Sequence, residues 1–222
     1  MATLLRVDSS PMGEASISRE LTAEFERMWR PANPDGRVIA RDLTTMWIPM
    51  VAADWVAAHY TPAESRTVEQ HALLARSTKL GEELLDADEY VMGVATHNWG
   101  APASFKLWVD HFTSPFGLQL EGKRATFVIT AGRWYGAGSG NEAKRHVEPW
   151  LRTLFGGFGV ADMHFVFVDA TARVFNGAIE RADFLAPHVE AIWKRSGEWL
   201  VASYNGKSES GRAEGPGATS KS

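Results

Sequence analysis

Four serine hydroxyls, those of Ser9, Ser10, Ser16 and Ser18, fall within ten residues of one another. At the start of a helix, serine oxygens do two kinds of work. One alone can cap the helix by accepting a backbone N–H of the first turn. Several together, with the unpaired N–H groups and partial positive charge of the helix end, can hold a phosphate. Both readings stay open on this stretch alone, but four hydroxyls are more than a cap needs. The Glu or Gln of a capping box is also missing, because Arg19 and Leu21 stand three residues after Ser16 and Ser18. The stretch has one glycine, Gly13, and neither a Gly-Lys-Ser/Thr nor a GxGxxG pattern. A terminal phosphate therefore suits it better than a triphosphate or a Rossmann-bound dinucleotide.

Two further stretches carry groups that suit a flat heteroaromatic ligand. Thr96-His97-Asn98-Trp99 follows an apolar run. Asn98 offers both donor and acceptor, and Trp99 a flat face to pack beside a ring. A turn whose aromatic simply covers the core is an equal alternative there. The run AGRWYGAGSGN, residues 131–141, combines Gly132, which lets backbone approach a ligand, with Arg133, Trp134 and Tyr135. By itself it reads more readily as a flexible glycine loop.

Other chemistries are absent. The chain has no cysteine, which excludes disulfides, thiolate catalysis and cysteine-ligated metals. Its seven histidines show no HExxH spacing, so no metal site is expected. Ser139 lacks the flanks of a GxSxG nucleophile elbow. A net charge of −4 argues against a nucleic-acid partner. No apolar run is long enough to span a membrane and the N-terminus shows no signal-peptide pattern, so the cytoplasm is the expected compartment.

The elements that must position these loops alternate along the chain. Strands are expected at Leu4–Val7, Arg37–Leu43, Tyr90–Ala95, Arg124–Thr130 and Met163–Asp169. Helices are expected from Ile17 with the stripe Ile17, Leu21, Phe25, Met28; over Glu64–Leu85 with Val68, Ala72, Ala75, Leu80 and Leu84 inward; after Pro102; after Val147; and over Ala178–Val201, bent at Pro187. Residues 44–62 form a partly helical excursion carrying Trp47 and Trp55. Five strands each followed by a helical pattern predict an α/β domain, a parallel sheet with helices on both faces, spanning residues 1–203. Residues 204–222, rich in Gly, Ser and charge, are expected to form a disordered tail. The three loops then share one edge, beyond the carboxyl ends of the strands, where such sheets bind ligands.

From about Thr3 to Val201 the chain resembles the FMN-dependent NADH-azoreductases, which also act as NADH:quinone oxidoreductases. Ser9-Ser10 with Ser16-Ile17-Ser18 is similar to that family's phosphate loop. Thr96-His97-Asn98-Trp99 stands at its Met-Tyr-Asn-Phe motif, with Lys106 and Asp110 at matching spacing, and Ala131–Trp134 at its Ser/Ala-Arg-Gly-Gly loop. The resemblance implies a flavodoxin-like homodimer, its site near the interface, holding one FMN per subunit and taking electrons from NADH for a quinone or azo compound in a ping-pong cycle. It implies that Ser10, Ser16, Ile17 and Ser18 hold the FMN phosphate. Thr96, His97, Asn98, Trp99, Ala131, Gly132, Arg133 and Trp134 would border the ring, and an aromatic such as Phe158 the substrate. No side chain is implied as a catalytic acid or base, because the flavin carries the chemistry. The sequence departs from the family where Thr96-His97 replace Met-Tyr and Arg133-Trp134 replace the paired glycines. The alternatives are a flavodoxin-type electron carrier, or an NAD(P)H-dependent reductase of FMN or nitroaromatics.

Overall fold

The computed structural model describes residues 1–113 and 118–210. Its parallel sheet has the order β2-β1-β3-β4-β5, built from β1 (Thr3–Asp8), β2 (Arg37–Asp42), β3 (Glu89–Ala95), β4 (Arg124–Thr130) and β5 (Asp162–Val168). Strand composition explains this order. In β3 every residue is buried and in β4 six of seven are, which suits central strands covered on both faces. In β2, an edge strand carrying Arg37, Arg41 and Asp42, no residue is fully buried.

Side chains alternate between two cores, as the period of a strand demands. Leu4 of β1, Val91 of β3 and Val128 of β4 face α1 (Ile17–Ala32) and α7 (Arg181–Ser210). Leu5, Val7, Tyr90, Met92, Phe127 and Ile129 face α3 (Val68–Asp86), α4 (Ala103–Phe112) and α5 (Val147–Gly157). Helices thus cover both faces, as expected. In α1 the buried stripe ends on Trp29 rather than Met28; the Trp29 indole donates to Glu89 at 3.1 Å, which anchors the helix end to β3.

Several boundaries and faces differ from expectation. The long helix starts at Val68 rather than Glu64, because Thr67 and Gln70 form a capping box there. Its buried face carries Leu74, Ser77, Leu80, Gly81 and Leu84, leaving Val68, Ala72 and Ala75 exposed. Packing against α4 and α2 (Ala53–Tyr60) selects a face rotated from the most apolar one. Past β5, the short helix α6 (Ala172–Phe175) precedes α7, and α7 continues through Pro187 to Ser210. Residues 204–210, expected in the tail, are therefore helical; extending an existing helix costs far less than starting one. The remainder of the expected tail lies outside the described residues.

The excursion after β2 is pinned by one buried chain of hydrogen bonds. The Trp55 indole donates to Ser77 Oγ at 3.2 Å, Ser77 lies 2.8 Å from His111 Nδ1, and His111 Nε2 lies 2.8 Å from the Pro49 carbonyl. The carbonyl can only accept, so Nε2 carries a proton and donates to it. Trp55 is buried in this arrangement whereas Trp47 stands 71% exposed.

Candidate functional site

The polarity of the sheet brings four loops to the carboxyl edge. They enclose a cavity of about 450 Å³, within the ~300–1,000 Å³ span of small-molecule sites. It opens at the switch in strand order, where β2 lies on one side of β1 and β3 on the other.

The first loop supplies Ser10, Met12, Ser16 and Ile17. Its four hydroxyls divide between structure and site. Ser9 Oγ donates to the Gly93 carbonyl at 2.7 Å and ties β1 to β3. Ser16 is the N-cap of α1, its Oγ accepting Arg19 N–H at 3.3 Å, so capping and ligand binding fall on the same residue. Ser18 Oγ lies 3.1 Å from Ser16 Oγ, and both side chains are buried. The N–H groups of Ile17 and Ser18 open the helix and have no intrahelical acceptor. The helix end thus brings Ser16 and Ile17 to the cavity, whereas Ser18, expected beside them, is not part of its lining. Gly93 lets this end come close to β3: a Cβ there would meet Asp8 Oδ1, Ser18 Cβ and Thr22 Cγ2, each at 3.3 Å.

Two arginines fix the loop's shape. Arg19 donates to the Ser10 carbonyl at 3.1 and 2.9 Å and reaches Asp42 at 2.6 Å, and Arg181 donates to the Ala15 carbonyl at 3.2 Å. Partial burial disfavours the Asp42 charge, but the Arg19 guanidinium and the Thr44 hydroxyl and N–H outweigh it and hold the carboxyl at about 2. Beneath the loop, burial pushes Asp8 up, against hydrogen bonds from Thr22 and Arg6. The two carboxylates respond to acid with opposite sign. Asp42, depressed from 3.8, gives stability that is complete above about pH 4 and is lost as pH falls through about 2. Asp8, raised, loses its desolvation cost on protonation. Urea denaturation between pH 5 and 2 should therefore show Asp42→Asn converging on wild type at the acid end; a constant gap would refute the assignment.

The second loop is a two-residue turn. His97 and Gly100 exchange backbone hydrogen bonds at 2.9 Å in each direction, and Asn98 and Trp99 have φ of 48° and 66°. This is the I′ geometry, which favours Asn-Gly. Asn98 suits it; Trp99 stands where glycine is preferred, and is 46% exposed. Thr96 and His97 line the cavity, and Thr96 Oγ1 is fully buried with no hydrogen-bond partner among the described residues.

The third loop contributes only Ala131 and Gly132 to the lining. Arg133 and Trp134 stand outside it. The Trp134 indole folds back over Gly136, whose absent Cβ would clash with Trp134 Nε1. The bulk that replaces the family's glycines is therefore turned away from the cavity.

A fourth loop was missed in the sequence. Thr171, Ala172, Phe175 and Asn176, after β5, close the cavity, with Thr171 Oγ donating to the Ala131 carbonyl at 3.1 Å. Their position at the carboxyl end of an expected strand was the available signal. Phe158 lies at the other end of the sheet. It follows α5 and precedes β5, packs edge-on against Phe112 at 6.1 Å and accepts Leu120 N–H through its carbonyl at 2.7 Å. Within one chain it does not reach the cavity.

The residues fit an FMN. The helix end suits a terminal phosphate, and the small residues Ala131 and Gly132 leave room for a ring.

A family model described as a flavodoxin-like fold matches residues 2–195. The chain is 52% identical over 202 residues to "FMN-dependent NADH:quinone oxidoreductase 3" of Burkholderia lata, covering 86% of this chain and 98% of that one. It is 43% identical over 203 residues to the "FMN-dependent NADH:quinone oxidoreductase" of Acidobacterium capsulatum, with the same two coverages. Among solved structures, an FMN-dependent NADH-azoreductase from Bacillus anthracis in complex with FMN superimposes with a TM-score of 0.78 at 16% identity, over 90% of this chain and all of that one. At that identity the likeness concerns the fold.

Proposed function

The chain belongs to the Flavodoxin_2 family of flavodoxin-like fold, and from that membership we propose that it is an FMN-dependent NADH:quinone oxidoreductase that also cleaves azo bonds reductively. The observation that carries this reading is the cavity at the strand-order switch, lined by Ser16 and Ile17 of the α1 terminus and by the small residues Ala131 and Gly132. The full set of phosphate-end residues, Ser10, Ser16, Ile17 and Ser18, supports FMN over a dinucleotide as the resident cofactor.

When bound, FMN supplies the hydride chemistry that no side chain here can perform. The protein's share is placement. The α1 terminus would face the phosphate, Arg19 and Arg181 hold the loop in shape, and Thr96 and His97, with Asn98 and Trp99 in the turn beside the cavity, would border the ring. In net terms NADH and a proton convert a quinone to a hydroquinone and leave NAD⁺. Donor and acceptor would occupy one slot in turn, which gives ping-pong kinetics.

We further propose a homodimer with the site near its interface, in the cytoplasm, where NADH is supplied. The segment after β2 supports association, since Trp47, Met50 and Tyr60 are all exposed there, beside Val68. Phe158 could border a site only by way of a second copy. Among the described residues no helix is long and apolar enough to cross a membrane.

The purified protein should show flavin absorption bands that bleach when NADH is added without oxygen and return on addition of a quinone. A protein that stays colourless after incubation with FMN would sink the flavoenzyme reading. A bound flavin inert to NADH would favour an electron carrier.

A further inference from the structure

We propose that Arg133 and Arg173, on adjoining segments of the cofactor cavity's rim, bind the pyrophosphate of NADH and so recognise the electron donor. The inference rests on the oxidoreductase reading above and adds the residues that select its donor. If donor and acceptor occupy one slot in turn, the slot holds what they share, a flat ring, and cannot itself tell them apart. What only the donor carries is the rest of the dinucleotide, whose pyrophosphate bears two negative charges. Its recognition then falls to cations on the rim, outside the slot.

The fold brings these two residues to one point. Gly132 and Ala172 both line the cavity, and the Ala172 N–H donates to the Gly132 carbonyl at 3.2 Å. Arg133 directly follows the first and Arg173 the second. Ala170 ties them together: its N–H donates to the Arg133 carbonyl at 2.9 Å, and its carbonyl accepts the Arg173 N–H at 3.0 Å. It does so at φ 55°, a left-handed conformation that an alanine adopts only under constraint. Both arginines are exposed.

Their charge is uncommitted. Among the described residues every other arginine has a partner for its guanidinium. Most pair with carboxylates. Arg66 donates to the Ala58 and Thr61 carbonyls at 3.1 and 2.9 Å, and Arg76 lies 5.7 Å from the Trp47 ring centroid. The side chains of Arg133 and Arg173 have no hydrogen bond, ion pair or ring contact among the described residues. Two carboxylates on the flanking segments are engaged elsewhere: Asp169 accepts the Tyr135 N–H at 2.6 Å, and Glu142 accepts the Gly138 N–H. Glu180, further along, forms no ion pair with either arginine. In a chain of net charge −4, two free guanidinium groups at one point of the rim make a local site for an anion. The planar fork of each suits phosphate oxygens. Arg133 stands where the resembled family has a glycine, so this site is a feature of the chain's own sequence. Neither guanidinium takes part in a bond change; they hold the donor so that its nicotinamide enters the slot.

The test compares NADH with 1-benzyl-1,4-dihydronicotinamide, which has the reducing ring and no phosphate, as donors to the FMN-loaded enzyme with 1,4-naphthoquinone as acceptor. In the double variant Arg133→Gln with Arg173→Gln, the ratio of kcat/KM for NADH to that for the benzyl donor should fall about three- to tenfold. Lysine at both positions should restore most of the ratio. Raising the salt from about 0.05 to about 0.5 M should lower the ratio more in wild type than in the double variant. Independently of turnover, calorimetric titration of the FMN-loaded protein with ADP-ribose, which has the pyrophosphate without the nicotinamide, should show an affinity weakened by a similar factor. An equal fall with both donors overturns the proposal. So does ADP-ribose affinity that is absent in wild type or unchanged in the double variant, or a fall confined to kcat/KM for the quinone, which would give the arginines to the acceptor. If the purified protein takes up no FMN, the oxidoreductase reading fails, and the same titration of the FMN-free protein decides whether the arginines hold a pyrophosphate.

Discussion

Ser16→Ala combined with Ser18→Ala should raise the dissociation constant for FMN by about 100-fold or more, because each lost hydrogen bond to a charged group is worth roughly 1.5–3 kcal/mol. The same change should cost only about 1 kcal/mol of apoprotein stability, the usual value of one N-cap. The two effects separate because the hydroxyls have different duties. Ser16 Oγ caps Arg19 N–H, and Ser18 Oγ hydrogen-bonds only with Ser16 Oγ among the described residues, yet both sit at the helix end where an anion gathers N–H groups. Ser9→Ala supplies the contrast. Its hydroxyl donates to Gly93 between two central strands, so its loss should lower stability and leave FMN affinity alone. Fluorescence titration of FMN against the apoprotein, with urea denaturation of the same samples, reads both. An unchanged FMN affinity in the double variant would reduce the serines to caps.

That division of labour marks how far the sequence could be read. The strands follow from apolar runs such as Tyr90–Ala95, whose strand, Glu89–Ala95, is buried throughout. Parallel neighbours then place the loops after β1, β3 and β4 at one edge. What sequence could not reveal is which hydroxyl faces which partner, since Ser9 and Ser10 are adjacent in the chain but their side chains serve different ends. The face of α3 was misread for a related reason. Ala72 and Ala75 are apolar enough to be buried, but Ser77, committed to Trp55 and His111, takes the inward position instead. A hydrogen-bond chain of three residues from three helices leaves no periodic trace. Phe175 and Asn176 were missed because the short helix α6 has no stripe to announce it. The folding of Trp134 over Gly136 depends on a close approach that only coordinates disclose.

Trp99→Gly should lower kcat/KM for quinone reduction about three- to tenfold, the worth of one aromatic stacking contact at ~0.5–1.5 kcal/mol, while leaving stability within about 1 kcal/mol of wild type. The sign of each effect follows from the turn. Glycine relieves the left-handed backbone at φ 66°, a gain of about 1–2 kcal/mol. Against it stand glycine's greater freedom in the unfolded chain, about 0.5–1 kcal/mol, and the exposed contact with Lys144, also about 0.5–1 kcal/mol. These nearly cancel. A tryptophan with a packing role would behave otherwise, since removing a buried aromatic costs about 3–5 kcal/mol. Trp99→Phe keeps a ring and keeps the strain, so it should retain most of the activity. Steady-state kinetics with thermal denaturation of the three proteins distinguish the cases. Large destabilisation of Trp99→Gly would make the indole structural, and full activity in it would remove Trp99 from the acceptor's wall. The expected outcome, stability kept and turnover lost, explains why a residue that strains its own turn is found at the mouth of the site.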